Sequence, residues 1–285
     1  MPRGASEDSV GREPSGAGWL LLTDPRRGVL LRRRASEAGH GGPWAPLGAP
    51  GPSGESPVAT AIGTVEWEAG VGPRAVRVLA AVEEPDTRGR TVLATLREEG
   101  ESRGPADPDV SVRWVRPDEV EPSELPSGLA AAWPELRGQL ARRAVLVVDS
   151  ANVVGSRPDG WWRDRAGATA RLRDRLAVVA ARGVVAPRLG LDLGRHWRWW
   201  PRVVLVTEGR ARGVGGVPGV EVVEAPGDGD DTVVRVVARL RASGPRDHVV
   251  VATADRALRR RVGEHGCAVL GPAELWDVLD ESGPA

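Results

Sequence analysis

Residues 144–148, Ala-Val-Leu-Val-Val, form an unbroken apolar run that stops at Asp149. A strand of five consecutive apolar residues, with no polar alternation, is buried on both faces. That is the position of a central strand in a parallel sheet covered by helices on both sides. The residues downstream repeat the theme. Ala166–Arg182 carries Leu172, Leu176 and Val179 at helical spacing, and further strands are predicted at Arg202–Thr207, Val220–Val223, His248–Ala252 and Ala268–Leu270. Helices are predicted between and after them at Asp231–Ala242, Arg256–His265 and Ala273–Leu279. Alternation of this kind implies an α/β domain with a parallel sheet, expected over residues 141–285.

The first half reads differently. Trp19–Leu22 and Gly28–Leu31, split by Asp24-Pro25, predict a hairpin. A Gly/Pro-rich loop is expected from Gly39 to Gly54, then a helix from Glu55 to Gly70, with Pro57 in its first turn and Gly70 as its stop. Strands at Ala75–Val82, Thr91–Arg97 and Ser111–Val115 and a helix at Ser127–Leu140 complete an α+β unit. The domain expectation is therefore a disordered leader over 1–17, one domain over 18–140 and another over 141–285, α/β overall.

Charge supports the division. Residues 1–140 hold 16 arginines against 21 acids, and the remainder hold 23 against 18, so only the second half suits a polyanion. All 39 basic residues are arginine, and Tyr and Phe are absent, which leaves 11 tryptophans as the whole aromatic complement. The single cysteine, Cys267, excludes an internal disulfide and fits a reducing, cytoplasmic setting. No apolar run approaches the ~18 residues of a membrane span, and the first residues lack the apolar segment of a secretory signal.

Three segments of the second half place carboxylates at predicted strand ends or helix starts: Asp149 after Val147-Val148, Asp230-Asp231 after Gly227-Asp228-Gly229, and Asp255 after Val251–Ala254. Sites in parallel sheets form outside the carboxyl ends of the strands. Carboxylates gathered there repel one another unless a cation lies between them, and an all-oxygen set suits Mg²⁺ or Mn²⁺. Such a site can activate water against a phosphodiester. Taken singly, each Asp is equally a helix cap. Tryptophan and arginine interleave at Trp161-Trp162-Arg163-Asp164-Arg165 and at His196–Arg202, a pattern that serves either RNA stacking or core anchoring.

The motifs carry two resemblances. Leu146–Val154 (LVVDSANVV) resembles the "VDGxNV" strand of NYN-type, PIN-like ribonucleases. Gly229–Val233 is similar to the "ADDxI" helix start of their YacP-like branch, and Val251–Arg256 to its "VxTSD". The strand-and-helix ending Gly266–Leu275 also fits, so the resemblance spans about Arg143 to Leu279. It implies a PIN-like fold and metal-dependent RNA cleavage. Asp149, Asp231 and Asp255 would be the catalytic metal ligands with Asp230 beside them, and Asn152 and Thr253 would support them. Trp161, Trp162, Arg163 and Arg165 would bind RNA. Ser150 stands where that family has Gly.

Trp44–Val71 resembles the loop–helix–loop box of Nudix (MutT-like) pyrophosphohydrolases, and Val112–Val120 a common Nudix ending. The resemblance implies an α/β/α sandwich over about Gly18 to Leu140 that holds Mg²⁺ on a diphosphate. Of the box carboxylates only Glu55 and Glu68 remain, because Thr64 and Trp67 stand at two Glu positions and Ala49 at the box Gly. Thr and Trp supply no anionic oxygen. The combined expectation is a metal-dependent RNA-cleaving half joined to a Nudix-like half without hydrolysis that binds a nucleotide or a partner. Two alternatives stay open: a pyrophosphohydrolase using Glu55 and Glu68 with Glu83 or Glu84, and a non-catalytic nucleotide- or RNA-binding protein.

Overall fold

The structure, a computed structural model, describes residues 16–35, 42–51, 55–83, 89–97 and 103–283. In chain order the first elements are β1 (Ala17–Asp24), β2 (Gly28–Arg34), β3 (Leu47–Pro50), α1 (Pro57–Gly63), α2 (Val65–Ala69), β4 (Val76–Glu83), β5 (Arg90–Leu96), β6 (Val110–Val115) and α3 (Ser127–Gln139). Then follow β7 (Ala144–Asp149), α4 (Ser150–Gly155), α5 (Arg165–Arg182), β8 (Val184–Val185), β9 (Trp197–Trp199), β10 (Arg202–Thr207), β11 (Val220–Glu224) and α6 (Gly229–Ser243). Last come β12 (His248–Ala252), α7 (Arg256–Gly263), β13 (Ala268–Leu270) and α8 (Pro272–Glu281). The chain divides into two compact units, one of residues 1–76, 83–92 and 96–130, the other of residues 77–82, 93–95 and 131–285. Most of β4 and part of β5 thus belong with the second unit, and the sequence boundary near Leu140 does not separate them from it.

In the first unit the expected hairpin forms. Asp24 Oδ1 accepts the backbone N–H groups of Arg26 (2.8 Å) and Arg27 (3.0 Å), which closes the turn between β1 and β2. β2 pairs antiparallel with β6, and β3 with β1. The strand β3 falls inside the stretch expected to be loop, and Gly48 makes it feasible. Its φ is +131°, and a Cβ there would lie 2.1 Å from the Gly18 carbonyl oxygen. The single helix expected over Glu55–Gly70 is two short ones, α1 and α2, which meet at Thr64. The Thr64 hydroxyl bonds back to the Ala61 carbonyl, and Gly70 at φ +62° ends α2.

In the second unit the sheet runs β11-β10-β7-β12-β13, every pair parallel, as expected for strands buried on both faces. Val145 and Val147 of β7, Val204 and Val206 of β10, and Val249 and Val251 of β12 form one face. They pack with Val233, Val237 and Leu240 of α6 and Leu258 and Val262 of α7. Burying each of these side chains stabilises the sheet by about 1.5–3 kcal/mol. β9 pairs antiparallel with β8 and with β4 at Ala80↔Trp199 and Val82↔Trp197. Its tryptophans are core: Trp197 and Trp199 are fully buried and stacked, and Trp197 Nε1 donates to Glu135 at 2.7 Å. The base-stacking option for these two residues is thereby removed. Among the described residues no helix is long and apolar enough to cross a membrane.

Candidate active site and nucleotide box

Parallel strands β7, β10 and β12 end side by side, and each delivers an acidic residue there: Asp149 as the last residue of β7, Glu208 one residue past β10, and Asp255 three past β12. The first turn of α6 adds Asp228 and Asp230. Asp149 is nearly buried, and its carboxylate is fixed from two sides. One oxygen accepts the Asn152 N–H that opens α4 (3.2 Å), and the other accepts the Thr253 hydroxyl (3.1 Å). Asn152 in turn accepts the Ala254 N–H (2.9 Å), which ties α4 to the loop after β12. Asp255 caps α7 by accepting the Leu258 N–H at 2.7 Å. The Thr253 hydroxyl and the Asn152 N–H therefore fix the Asp149 carboxylate.

The electrostatics show which carboxylates face one another. Burial raises the Asp149 pKa above the ordinary carboxylate value, and the nearby Glu208 raises it further. Asp230 is pushed up to about 6, first by burial and then by the charges of Asp149, Asp255 and Asp228. Asp231, expected as a ligand, turns elsewhere. Its carboxylate pairs with Arg261 at 2.6 Å and is mostly exposed. The charges of Asp149, Asp255 and Asp228 thus act on Asp230 and that of Glu208 on Asp149, while Asp231 lies on the surface. Glu208 was missed in the sequence because only one carboxylate follows that strand and no motif marks it. It accepts the Gly229 N–H at 2.8 Å and so holds the start of α6 against β10.

The donor set is carboxylate and hydroxyl oxygen, which suits a hard divalent cation. Two buried hydroxyls at the same strand ends, Ser150 Oγ and Thr207 Oγ1, have no hydrogen-bond partner among the described residues. Among the described residues no group of three or more Asp, Glu, His or Cys side chains is placed so that it could hold a metal ion. The donor chemistry suits such an ion, and the carboxylates would have to draw in around it.

Trp161 and Trp162 meet edge to face at 6.2 Å, and Arg165 lies over the Trp161 ring at 5.1 Å. Trp162 is 53% exposed, and Arg163 is exposed. Asp164 accepts the Gly167 N–H at 2.8 Å and caps α5.

In the first unit the surviving box carboxylate is already occupied. Glu68, buried at 2% exposure, pairs through one oxygen with Arg32 Nε (3.0 Å) and Arg34 (3.4 Å). Its other oxygen accepts the Gly48 N–H at 2.6 Å. Glu55 accepts the Thr60 hydroxyl at 2.8 Å. Glu83, an alternative acid, is paired with Arg90, and Glu84 lies outside the described residues. Trp67 is 60% exposed. Magnesium or manganese is the divalent cofactor of Nudix hydrolases, and the box residues here do not fit it, since their one buried carboxylate is neutralised by arginine.

Residues 13–136 match the family described as NUDIX domain. A Mycobacterium tuberculosis protein titled "Putative 8-oxo-dGTP diphosphatase 3", from strains CDC 1551 / Oshkosh and ATCC 25618 / H37Rv, is 33% identical over 133 residues. The match covers 43% of this chain, which spans only 61% of the relative's length. A solved Nudix hydrolase from M. Smegmatis, RenU, is 30% identical, with 44% of this chain and 84% of that one covered at a TM-score of 0.36. Rae1 (YacP) from Bacillus subtilis is 17% identical, with 48% of this chain and 74% of that one covered at a TM-score of 0.37.

Proposed function

With residues 13–136 forming a Nudix domain, we propose that the chain joins a nucleotide-binding Nudix module without hydrolysis to a PIN/NYN-like half, residues 141–285, that cleaves RNA. The observation that carries this reading is the placement of Asp149 and Asp255 at adjacent ends of the parallel strands β7 and β12, with Asp230 pushed up to about 6 first by burial and then by the charges of Asp149, Asp255 and Asp228. Asp149, Asp230 and Asp255 would hold Mg²⁺ or Mn²⁺, and the ion would supply an activated water and charge neutralisation at the phosphodiester. The rest is the work of the chain. Thr253 and Asn152 orient Asp149, Glu208 anchors the α6 turn that presents Asp230, and Trp162 with Arg163 receives a base and a phosphate. Cytoplasmic RNA is the proposed substrate, in keeping with the lone Cys267.

Diphosphatase activity of the kind named for the Mycobacterium tuberculosis relative would require a carboxylate-rich box. Glu68 bound to Arg32 and Arg34 argues for nucleotide or partner binding instead. The test uses the full chain, because β9 of the second unit pairs with β4. Labelled single-stranded and structured RNAs are incubated with Mg²⁺ or Mn²⁺, with chelator, and with the Asp255→Asn variant. Metal-dependent cleavage lost in the variant is expected. Cleavage that survives both chelator and substitution would sink the mechanism, and no cleavage of any RNA would favour the non-catalytic binding reading.

A further inference from the structure

The second unit has a cavity of about 650 Å³ at the opposite end of its parallel sheet from the acidic cluster. Its lining includes His248, the first residue of β12, Gly266 just before β13, and Arg142 just before β7. The acidic residues follow the far ends of the same strands, about 15–20 Å away at 3.3 Å per residue. The charged groups of the lining are Arg137, Arg142, Arg241 and Arg246 against Asp192 and Asp247. Half-buried arginines elsewhere in this unit pair with carboxylates at Arg157–Asp280, Arg188–Glu281 and Arg202–Glu221. Among the described residues the side chains of Arg137, Arg142 and Arg246 have no such partner, although they gather around one hollow.

Arg241 is the fixed element of the lining. Its Nε donates to the His265 carbonyl (3.0 Å) and its Nη1 to the Asp247 carbonyl (2.6 Å), so the guanidinium is held in place with Nη2 beside Gly266. Burial raises the Asp247 pKa, and Arg143, Arg241 and Arg77 oppose that shift. His248 bonds to the Leu189 carbonyl at 2.7 Å and serves the wall.

We propose that this cavity binds the phosphate groups of a nucleotide. A volume of about 650 Å³ falls within the ~300–1,000 Å³ of small-molecule sites. Planar guanidinium forks match phosphate oxygens in pairs. Sites that track single-stranded RNA place aromatic rings along a groove for the bases, and no aromatic side chain lines this cavity. The site is independent of the RNA-cleavage reading.

Calorimetric titration of the full chain with inorganic pyrophosphate, and then with a nucleoside triphosphate, tests the proposal. The comparison is the triple variant Arg137→Gln/Arg142→Gln/Arg246→Gln, which leaves the structural Arg241 untouched. A loss of about tenfold or more in pyrophosphate affinity, with an unchanged melting temperature, is expected, as is weakening with salt. Asp192→Asn, which removes an exposed charge, should tighten binding and serves as the test if the triple variant does not fold. A short RNA with a 5′-triphosphate distinguishes a phosphorylated RNA end from a free nucleotide as the source of the phosphates. Wild-type protein that ignores pyrophosphate at millimolar concentration overturns the proposal. So does binding that neither the triple variant nor Asp192→Asn alters.

Discussion

Arg261 holds the carboxylate of Asp231 at 2.6 Å, one residue along from Asp230, which faces Asp149 and Asp255. Adjacent residues on a helix point about 100° apart, so the two carboxylates cannot serve the same ion equally. Asp230→Asn is expected to reduce metal-dependent RNA cleavage by 100-fold or more (roughly 3 kcal/mol of transition-state stabilisation), with RNA affinity nearly unchanged. Asp231→Asn should leave turnover within about threefold, a change below roughly 1 kcal/mol. Single-turnover cleavage by the two variants, measured side by side, checks the assignment, and the reverse ranking would overturn it.

The same repulsion acts on stability. Asp149, Asp230, Asp255 and Glu208 gather negative charge that Arg261 offsets only in part. Mg²⁺ or Mn²⁺ is expected to raise the melting temperature of the wild type at pH 7 in proportion to the logarithm of its concentration. Asp230→Asn should raise the metal-free melting temperature and abolish the metal's effect. Each kcal/mol of repulsion removed corresponds to roughly 2–4 °C in a domain of this size. A metal response that persists in this variant would place the ion elsewhere.

The strands of the parallel sheet were legible because each is a short apolar run that must be buried whichever way it faces. Val145–Val148 and Val203–Val206 carry that signal without help from tertiary context. Asp149 and Asp255 stood out for the same reason, as the first charged residues past such runs. The choice between Asp230 and Asp231 was not, because a motif gives residue order while the direction of a side chain depends on the helix phase and on Arg261, 30 positions away. β9 was hidden for a different reason. Trp197-Arg198-Trp199 reads as a ligand-binding pattern, and only its pairing with β4, about 120 positions earlier, turns the two rings into core. β3 was masked by Gly48 and Pro50, residues that usually punctuate loops.

His248 sets a pH dependence of stability. Burial lowers its pKa below the ordinary 6.5, and its Nε2 is bonded to the Leu189 carbonyl. Below the unfolded pKa the unfolded chain binds a proton that the folded chain resists. The contribution of this group is therefore present above about pH 6.5 and is lost as pH falls toward the depressed folded value. His248→Gln, which keeps a donor but does not titrate in this range, is expected to flatten the slope of unfolding free energy between about pH 5 and pH 6.5. Denaturant titrations of both proteins across that range measure it, and identical slopes would show that His248 does not contribute.

Glu68 bonded to Arg32 makes a final prediction about the Nudix domain. The two side chains are buried at 2% and 9% exposure, 3.0 Å apart, with the Gly48 N–H on the second Glu68 oxygen. In this arrangement the carboxylate is a structural anion that compensates a buried guanidinium and pins β3 to α2. Removing one partner of a buried pair leaves the other charge uncompensated, which costs about 3–5 kcal/mol. Glu68→Ala should therefore lower unfolding free energy by that order in urea titrations. Glu68→Gln should lose less, since the amide oxygen still accepts a hydrogen bond. Neither should change the rate at which the chain hydrolyses nucleoside triphosphates in Mg²⁺ or Mn²⁺, because a carboxylate neutralised by arginine cannot also hold the ion. Robust hydrolysis by the wild type that Glu68→Gln abolishes, with stability little changed, would show that Glu68 serves the metal and that the arginines release it.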